Sequence, residues 1–232
     1  MPVVYTLHAI SPPGAAPQRG ALPLDAFERQ LRGLLRLKVR FVRLADVAAW
    51  LKGERRLPPL SSVLTFDDGY GCVRELAFPL LDRLGLPRAV FVIAGLVGRY
   101  SNFYAEKGGP VRRHLDESEL RLMTRNPLVE FGAHGLSHVN LARADPRQLA
   151  AETAGAKERL EKLLGTEVRY FAYPYGAVSP RAAEAARDAG YALAFTTVKR
   201  KITRGAEPLL LPRVNWGRRA STLRLLKHHF LP

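Results

Sequence analysis

The chain has a single cysteine, Cys72, so no internal disulfide framework can hold it and stability has to come from a packed core. Uninterrupted apolar runs are also short. The stretch 89–96, with Gly95 inside it, falls far below the ~20 residues that span a bilayer, which excludes an integral helical membrane protein. The opening MPVVYTLHAI places no Lys or Arg before an apolar stretch and offers no small-residue cleavage site. No export signal is therefore expected, and a cytoplasmic location is the default. Negative charge is scarce too: 21 Asp+Glu stand against 36 Lys+Arg, a formal net charge of +15. Such an excess favours polyanions of any kind through counterion release. The basic residues are scattered (Arg29, Arg32, Arg36, Lys38, Arg40, Arg43, Arg55, Arg56), with one modest cluster at Lys199, Arg200, Lys201 and Arg204. No nucleic-acid motif accompanies them, so no nucleic-acid partner is expected. Peripheral contact with an anionic membrane or an acidic polymer stays open.

What is present is the make-up of a folded chain, with 47% hydrophobic and 25% charged residues among 232. Short apolar, β-branched runs recur at 3–7, 39–42, 63–66, 89–93, 129–133, 170–172 and 193–196, with 209–214 as a possible eighth. Amphipathic stretches lie between them at 24–35, 44–51, 73–84, 146–164 and 180–189, the last four each stopped by a glycine. This alternation predicts an α/β fold with a largely parallel sheet, formed by one domain over residues 1–232. Seven or eight parallel strands that each lead to a helix close most naturally into a barrel, and barrel enzymes work at the C-terminal ends of their strands. Two stretches, 11–20 and 98–116, read as loops.

The chemistry-bearing residues do follow strands. After 63–66 come Asp67, Asp68, Gly69 and Tyr70. Adjacent carboxylates diverge in direction, so one could bind a metal while the other stays free as a base. They could equally cap a helix beginning near Val73. After 129–133 come His134 and His138, four apart, which on one helical turn would point to the same face and share a metal. With Asp68 they would make two imidazoles and one carboxylate, leaving positions open for water and substrate. A third strand end carries Phe171-Ala-Tyr-Pro-Tyr-Gly176, where an irregular backbone could aim an N–H at a developing oxyanion or simply pack aromatic rings around a turn.

Taken in order, Thr65-Phe-Asp-Asp-Gly-Tyr70, Gly132-Ala-His-Gly-Leu-Ser-His-Val-Asn-Leu141 and Phe171-Ala-Tyr-Pro-Tyr-Gly176 resemble the first three motifs of the polysaccharide deacetylases, the NodB-like carbohydrate esterases. The resemblance implies a distorted (β/α) barrel of about seven strands and a metal-dependent N-deacetylase of N-acetylated sugars. By position it makes Asp67 the general base, Asp68, His134 and His138 the metal ligands, and the Tyr175 backbone N–H part of the oxyanion hole. The opening Val4-Tyr-Thr-Leu-His8 is similar to the strand that begins the poly-N-acetylglucosamine deacetylase branch, which implies His8 as general acid. His228 and His229 are the late alternatives. The family's third motif often carries an Arg where this chain has Ala172, and that Arg pairs with the catalytic Asp. Arg213 and Arg169 are the positions that could supply it. The second motif has Gly135 where Ser or Thr is common, and no fourth motif with its Asp and Trp is found.

A His2Asp donor set suggests zinc, with cobalt, nickel, manganese or iron also compatible. Tyr5, Tyr70, Tyr173, Tyr175 and Trp216 are candidate sugar-binding or stacking aromatics. The expected partner is a carbohydrate of the poly- or oligo-N-acetylglucosamine type. Two other functions stay open, a hydrolase of small or lipid-linked sugar amides and a carbohydrate-binding barrel without activity.

Overall fold

Seven parallel strands form the spine of the protein, described here in a computed structural model over residues 1–16, 18–103, 109–218 and 220–230. In chain order the strands are β1 (Val3–Leu7), β2 (Ala9–Ser11), β3 (Ala21–Pro23), β4 (Arg40–Phe41), β5 (Ser61–Phe66), β6 (Arg88–Val92), β7 (Tyr100–Ser101), β8 (Arg112–Arg113), β9 (Val129–Ala133), β10 (Tyr170–Ala172), β11 (Leu193–Phe195) and β12 (Val214–Asn215). The main sheet runs β11-β10-β9-β6-β5-β1-β12, with β4 paired to the first two residues of β5. Strands β1, β5, β6 and β9 are buried along their whole length, as befits a parallel sheet covered on both faces. Side chains alternate between two cores. Val4, Val63, Phe91, Ala172 and Phe195 fill the inside of the curl. Val3, Tyr5, Leu7, Leu64 and Phe66 face outward, where Phe27, Leu31 and Leu34 of the helix Leu24–Arg36 cover them.

The curl is completed by a late segment. Leu211 bridges to Phe195 on one edge of the sheet, and Val214 and Asn215 pair with Tyr5 and Thr6 of β1 on the other. The expected strand over 209–214 is thus split. Pro212, lacking an N–H, stands between Leu211, which bonds to β11, and Val214, which bonds to β1. The strand expected at 39–42 shortens to β4.

Two of the expected helices are interrupted by wider turns. Residues 73–84 divide into a π-helical turn, Val73–Ala77, and the helix Phe78–Arg83 with Pro79 in its first turn. Residues 146–164 divide into Pro146–Ala150, a π turn Ala151–Gly155 and Ala156–Leu164. Such insertions often mark functional sites. The loop expected over 98–116 contains the β7–β8 ladder, and the one over 11–20 adjoins the β2–β3 pair. A helix over Glu117–Met123 was not anticipated. Its capping box, Asp116 with Glu119, is the signal that marks it. Among the described residues no helix is long and apolar enough to cross a membrane.

Candidate active site

The pleat of the sheet selects which side chains reach the site. On β5, Val63 and Thr65 face the inside of the curl, and Asp67, two residues on, continues that face as the strand ends. Its backbone N–H still bonds to the Leu7 carbonyl, so it is held by the ladder of β1. His8 stands just past β1, and His134 just past β9 with its N–H on the Val92 carbonyl. Four strand ends therefore meet around one small cavity, of about 90 Å³, lined by His8, Asp67, Asp68, His134, His138, Tyr173, Tyr175 and Arg213.

Asp68, His134 and His138 have ligand atoms within 4.8 Å of one another. Asp68 Oδ1 lies 3.5 Å from both His134 Nε2 and His138 Nε2. His134 Nδ1 is 2.7 Å from the Ala172 carbonyl, an oxygen that can only accept, so Nδ1 carries the proton and Nε2 presents a lone pair to Asp68. Burial is the main cause that lowers both imidazoles to a pKa of about 4, leaving them neutral at physiological pH. A carboxylate oxygen thus faces an imidazole lone pair, and among the described residues Asp68 Oδ1, which is buried, has no hydrogen-bond partner. A buried anionic oxygen in that state costs several kcal/mol unless a cation sits between the groups. These three residues fit a divalent metal ion.

The backbone departs from expectation here. His134 and His138 do not share a helical turn; residues 134–138 form an irregular loop. Gly135 (φ +77) and His138 (φ +65) both adopt left-handed conformations, as do Asp68 (φ +70) and Tyr175 (φ +61). For a non-glycine residue this costs on the order of 1–3 kcal/mol and concentrates at functional sites. The strained turns aim both imidazoles at Asp68.

Asp67 is gripped by Arg213. The guanidinium donates to both carboxylate oxygens, at 2.7 and 2.8 Å, and also to the Thr196 carbonyl and Thr65 Oγ1. Burial would raise the Asp67 carboxyl, but Arg213 and then His134 outweigh it and hold the group well below the usual carboxylate range. Arg213 thus takes the place beside Asp67 that Ala172 leaves vacant. Arg169 does not, since its contact is with Glu167.

Two other residues shape the site without having been anticipated. Glu152, on the π turn and 3% exposed, accepts hydrogen bonds from the backbone N–H of Leu136 (2.8 Å) and Ser137 (3.1 Å) and from the Ser137 hydroxyl. A Cβ on Gly135 would come 2.5 Å from its Oε2, so the carboxylate occupies the space that a larger residue at 135 would need. Buried His114 places Nδ1 2.8 Å from the Asp68 carbonyl and Nε2 2.7 Å from Ser101 Oγ, bracing the left-handed backbone of Asp68. In sequence, Glu152 looks like surface charge on a long helix and His114 like a loop residue.

Several expected site residues lie elsewhere. Trp216 is 1% exposed, packed against Tyr5 and Phe27 with its indole N–H on Gln30, so no ring face is available for stacking on a sugar. Tyr70 is buried against His114, and Tyr5 is buried with its hydroxyl on the Leu225 carbonyl. Tyr173 lines the cavity, but its ring is buried and its hydroxyl donates to the Leu209 carbonyl. Tyr175 is 61% exposed and lays its ring 4.6 Å from that of His138, whose other side stacks on Phe103. His229 contacts Ser62, near the start of β5 and away from the site, and His228 lines a different cavity.

Comparison with known proteins agrees with this geometry. The family described as polysaccharide deacetylase matches residues 54–194. A poly-beta-1,6-N-acetyl-D-glucosamine N-deacetylase of Staphylococcus aureus (strain MRSA252) is 27% identical over 199 residues, covering 81% of this chain and 65% of that protein. YxkH of Bacillus subtilis is 22% identical over 176 residues, covering 76% of this chain and 58% of that protein. The chain thus spans less than two thirds of the length of these curated relatives. IcaB from Ammonifex degensii superposes with a TM-score of 0.85 at 29% identity, covering 99% of this chain and 97% of the other. The Streptococcus pyogenes deacetylase PplD in complex with acetate shares the fold, with a TM-score of 0.84 at 23% identity and coverage of 99% and 98%.

Proposed function

Given that the chain belongs to the polysaccharide deacetylase family, we propose that it hydrolyses N-acetyl groups on a poly- or oligosaccharide of the N-acetylglucosamine type. The observation that carries this reading is the pairing of two differently tethered carboxylates. Asp68 faces two neutral imidazoles, while Asp67 beside it is clamped by Arg213. The names of the Staphylococcus aureus and Ammonifex degensii relatives support the substrate class.

Asp68, His134 and His138 would hold a divalent metal, with zinc the first choice for this donor set. When bound it would supply Lewis-acid polarisation of a carbonyl and lower the pKa of its water towards about 7. The chain's own groups do the rest. Each Asp67 oxygen spends one lone pair on Arg213 and keeps another, so the carboxylate can accept the proton of the attacking water while its orientation stays fixed. The Tyr175 backbone N–H would stabilise the oxyanion, a contribution of about 3–4 kcal/mol for one such donor. His8, half-buried in the cavity wall, would protonate the leaving amine.

The test is acetate release from N-acetylglucosamine oligomers by wild type and Asp67→Asn, each stripped of metal and reloaded with zinc or cobalt. Metal-dependent acetate from wild type alone is the expected outcome. Normal turnover by Asp67→Asn would overturn the base assignment, and unchanged kinetics in His8→Ala would remove His8 as the acid.

A further inference from the structure

Next to the catalytic cavity the surface opens into two further hollows. The first, of about 300 Å³, shares His8 with the catalytic cavity and includes Arg19 and Arg218 in its wall. The second, of about 350 Å³, shares Asn215 and Gly217 with the first and is walled by Lys199, Arg224, Lys227 and His228. The two hollows adjoin at Asn215 and Gly217 in and after β12, and we treat them together as one trough that starts at His8. Among the described residues five cations line these hollows and no carboxylate does, although the chain has 21 acidic residues to place.

The far end is the most concentrated part. Burial first, and then Lys227, Lys199 and Arg224, lower the pKa of His228, which puts all three cations within electrostatic reach of one imidazole. Lys199 and Lys227 are exposed, and among the described residues neither has a carboxylate within ion-pair distance. The fold thus keeps like charges together in a concave wall, an arrangement that raises the local concentration of anions. Asn215, exposed at the junction of the two hollows, adds an amide able to donate to an oxyanion.

We propose that this trough binds an anionic group, a phosphate or a carboxylate, carried by the glycan some way from the acetamide being cleaved. The inference rests on the deacetylase reading and narrows its substrate class to acidic N-acetylated glycans. The same charges bear on the product. Each N-deacetylation creates an amine that is protonated at neutral pH, and a trough of five cations disfavours a glycan already carrying such groups. The preferred chain is therefore anionic and still acetylated beside the reacting sugar, and electrostatic repulsion favours release of a multiply deacetylated product.

The experiment uses the full chain and two probes, an N-acetylglucosamine tetramer and the same tetramer bearing a terminal phosphate, titrated calorimetrically at about 0.15 M salt, where the Debye length is ~8 Å. Wild type should bind the phosphorylated tetramer about tenfold more tightly, equivalent to about 1.4 kcal/mol. The Lys199→Gln/Lys227→Gln protein should reduce that ratio to under about twofold at an unchanged melting temperature, since both side chains are exposed. Equal affinity of wild type for the two probes, or a preference that survives the double substitution, would overturn the proposal. Vesicles containing phosphatidylglycerol separate lipid from glycan. Binding to them without any preference between the tetramers would make the patch a membrane contact and overturn the proposal as well. The two readings fail separately. Preference without acetate release sinks the deacetylase assignment and leaves anion binding intact, whereas acetate release without preference does the reverse.

Discussion

Replacing Glu152 by Ala should weaken metal binding although residue 152 is no ligand. The carboxylate accepts from two backbone N–H groups and one hydroxyl on the loop between His134 and His138. Hydrogen bonds to a charged acceptor are worth about 1.5–3 kcal/mol each. Ser137 is exposed and Leu136 only half-buried, so water replaces part of what is lost, and about 2 kcal/mol is a fair lower figure for the loop. That energy holds His138 in its left-handed conformation. If the loop is ordered only a few per cent of the time without it, apparent affinity falls by the same fraction, roughly thirtyfold for 2 kcal/mol. The assay is titration of the metal-free protein with zinc against a chromogenic chelator, alongside urea denaturation of the same samples. Gly135→Ala disturbs the contact from the other side, because its Cβ would meet Glu152 Oε2 at 2.5 Å on a backbone with φ +77, and it should lower affinity in the same direction. Zinc affinity within about threefold of wild type in a folded Glu152→Ala protein, against the 10–100-fold typical of outer-shell partners, would refute the reasoning and reduce Glu152 to core support.

Arg213→Met should cost about 3–5 kcal/mol in chemical denaturation, because it leaves Asp67 buried and unpaired. Adding Asp67→Asn should recover part of that loss, and a cost below about 1 kcal/mol with no coupling between the two sites would contradict the pairing. Trp216→Ala should lose about 3–5 kcal/mol of stability with no change in sugar affinity, and the opposite pattern would restore a stacking role. Tyr175→Gly should leave stability within about 1 kcal/mol, since relief of the left-handed backbone offsets added freedom in the unfolded chain. It should also retain acetate release, because the N–H remains. Complete loss of turnover in a folded protein would place the ring, which covers His138, in the reaction.

The strands were legible because a fully buried parallel strand announces itself as a short, mostly apolar run. The runs at 3–7, 129–133 and 170–172 coincide with β1, β9 and β10. The site was legible where the chemistry is local to a strand end, as for Asp67, Asp68, His134 and His138. It was obscure where a residue acts across the fold. Glu152 lies in an apparently regular amphipathic stretch, and only a π turn, invisible to a 3.6-residue period, brings it under the histidine loop. The histidine spacing suggested a helical turn because i,i+4 pairing is what spacing alone encodes. The observed loop reaches the same convergence through two left-handed residues. Ring orientation is not a property of sequence either, so Tyr70 and Trp216 could not be told from exposed platforms until their neighbours were known.

Arg213 and Asp67 stand 146 residues apart in the chain, and Arg213 sits in the segment that joins the two edges of the sheet. Contacts of such long sequence separation incur the full cost of loop closure and tend to form late. During synthesis β1, β5 and β9 emerge well before residues 211–215, so Asp67 has no guanidinium partner until the segment that carries Arg213 has been made. The clamp on Asp67 therefore depends on the same segment that completes the sheet. A chain that stops short of Arg213 carries Asp68, His134 and His138, yet its Asp67 remains unclamped.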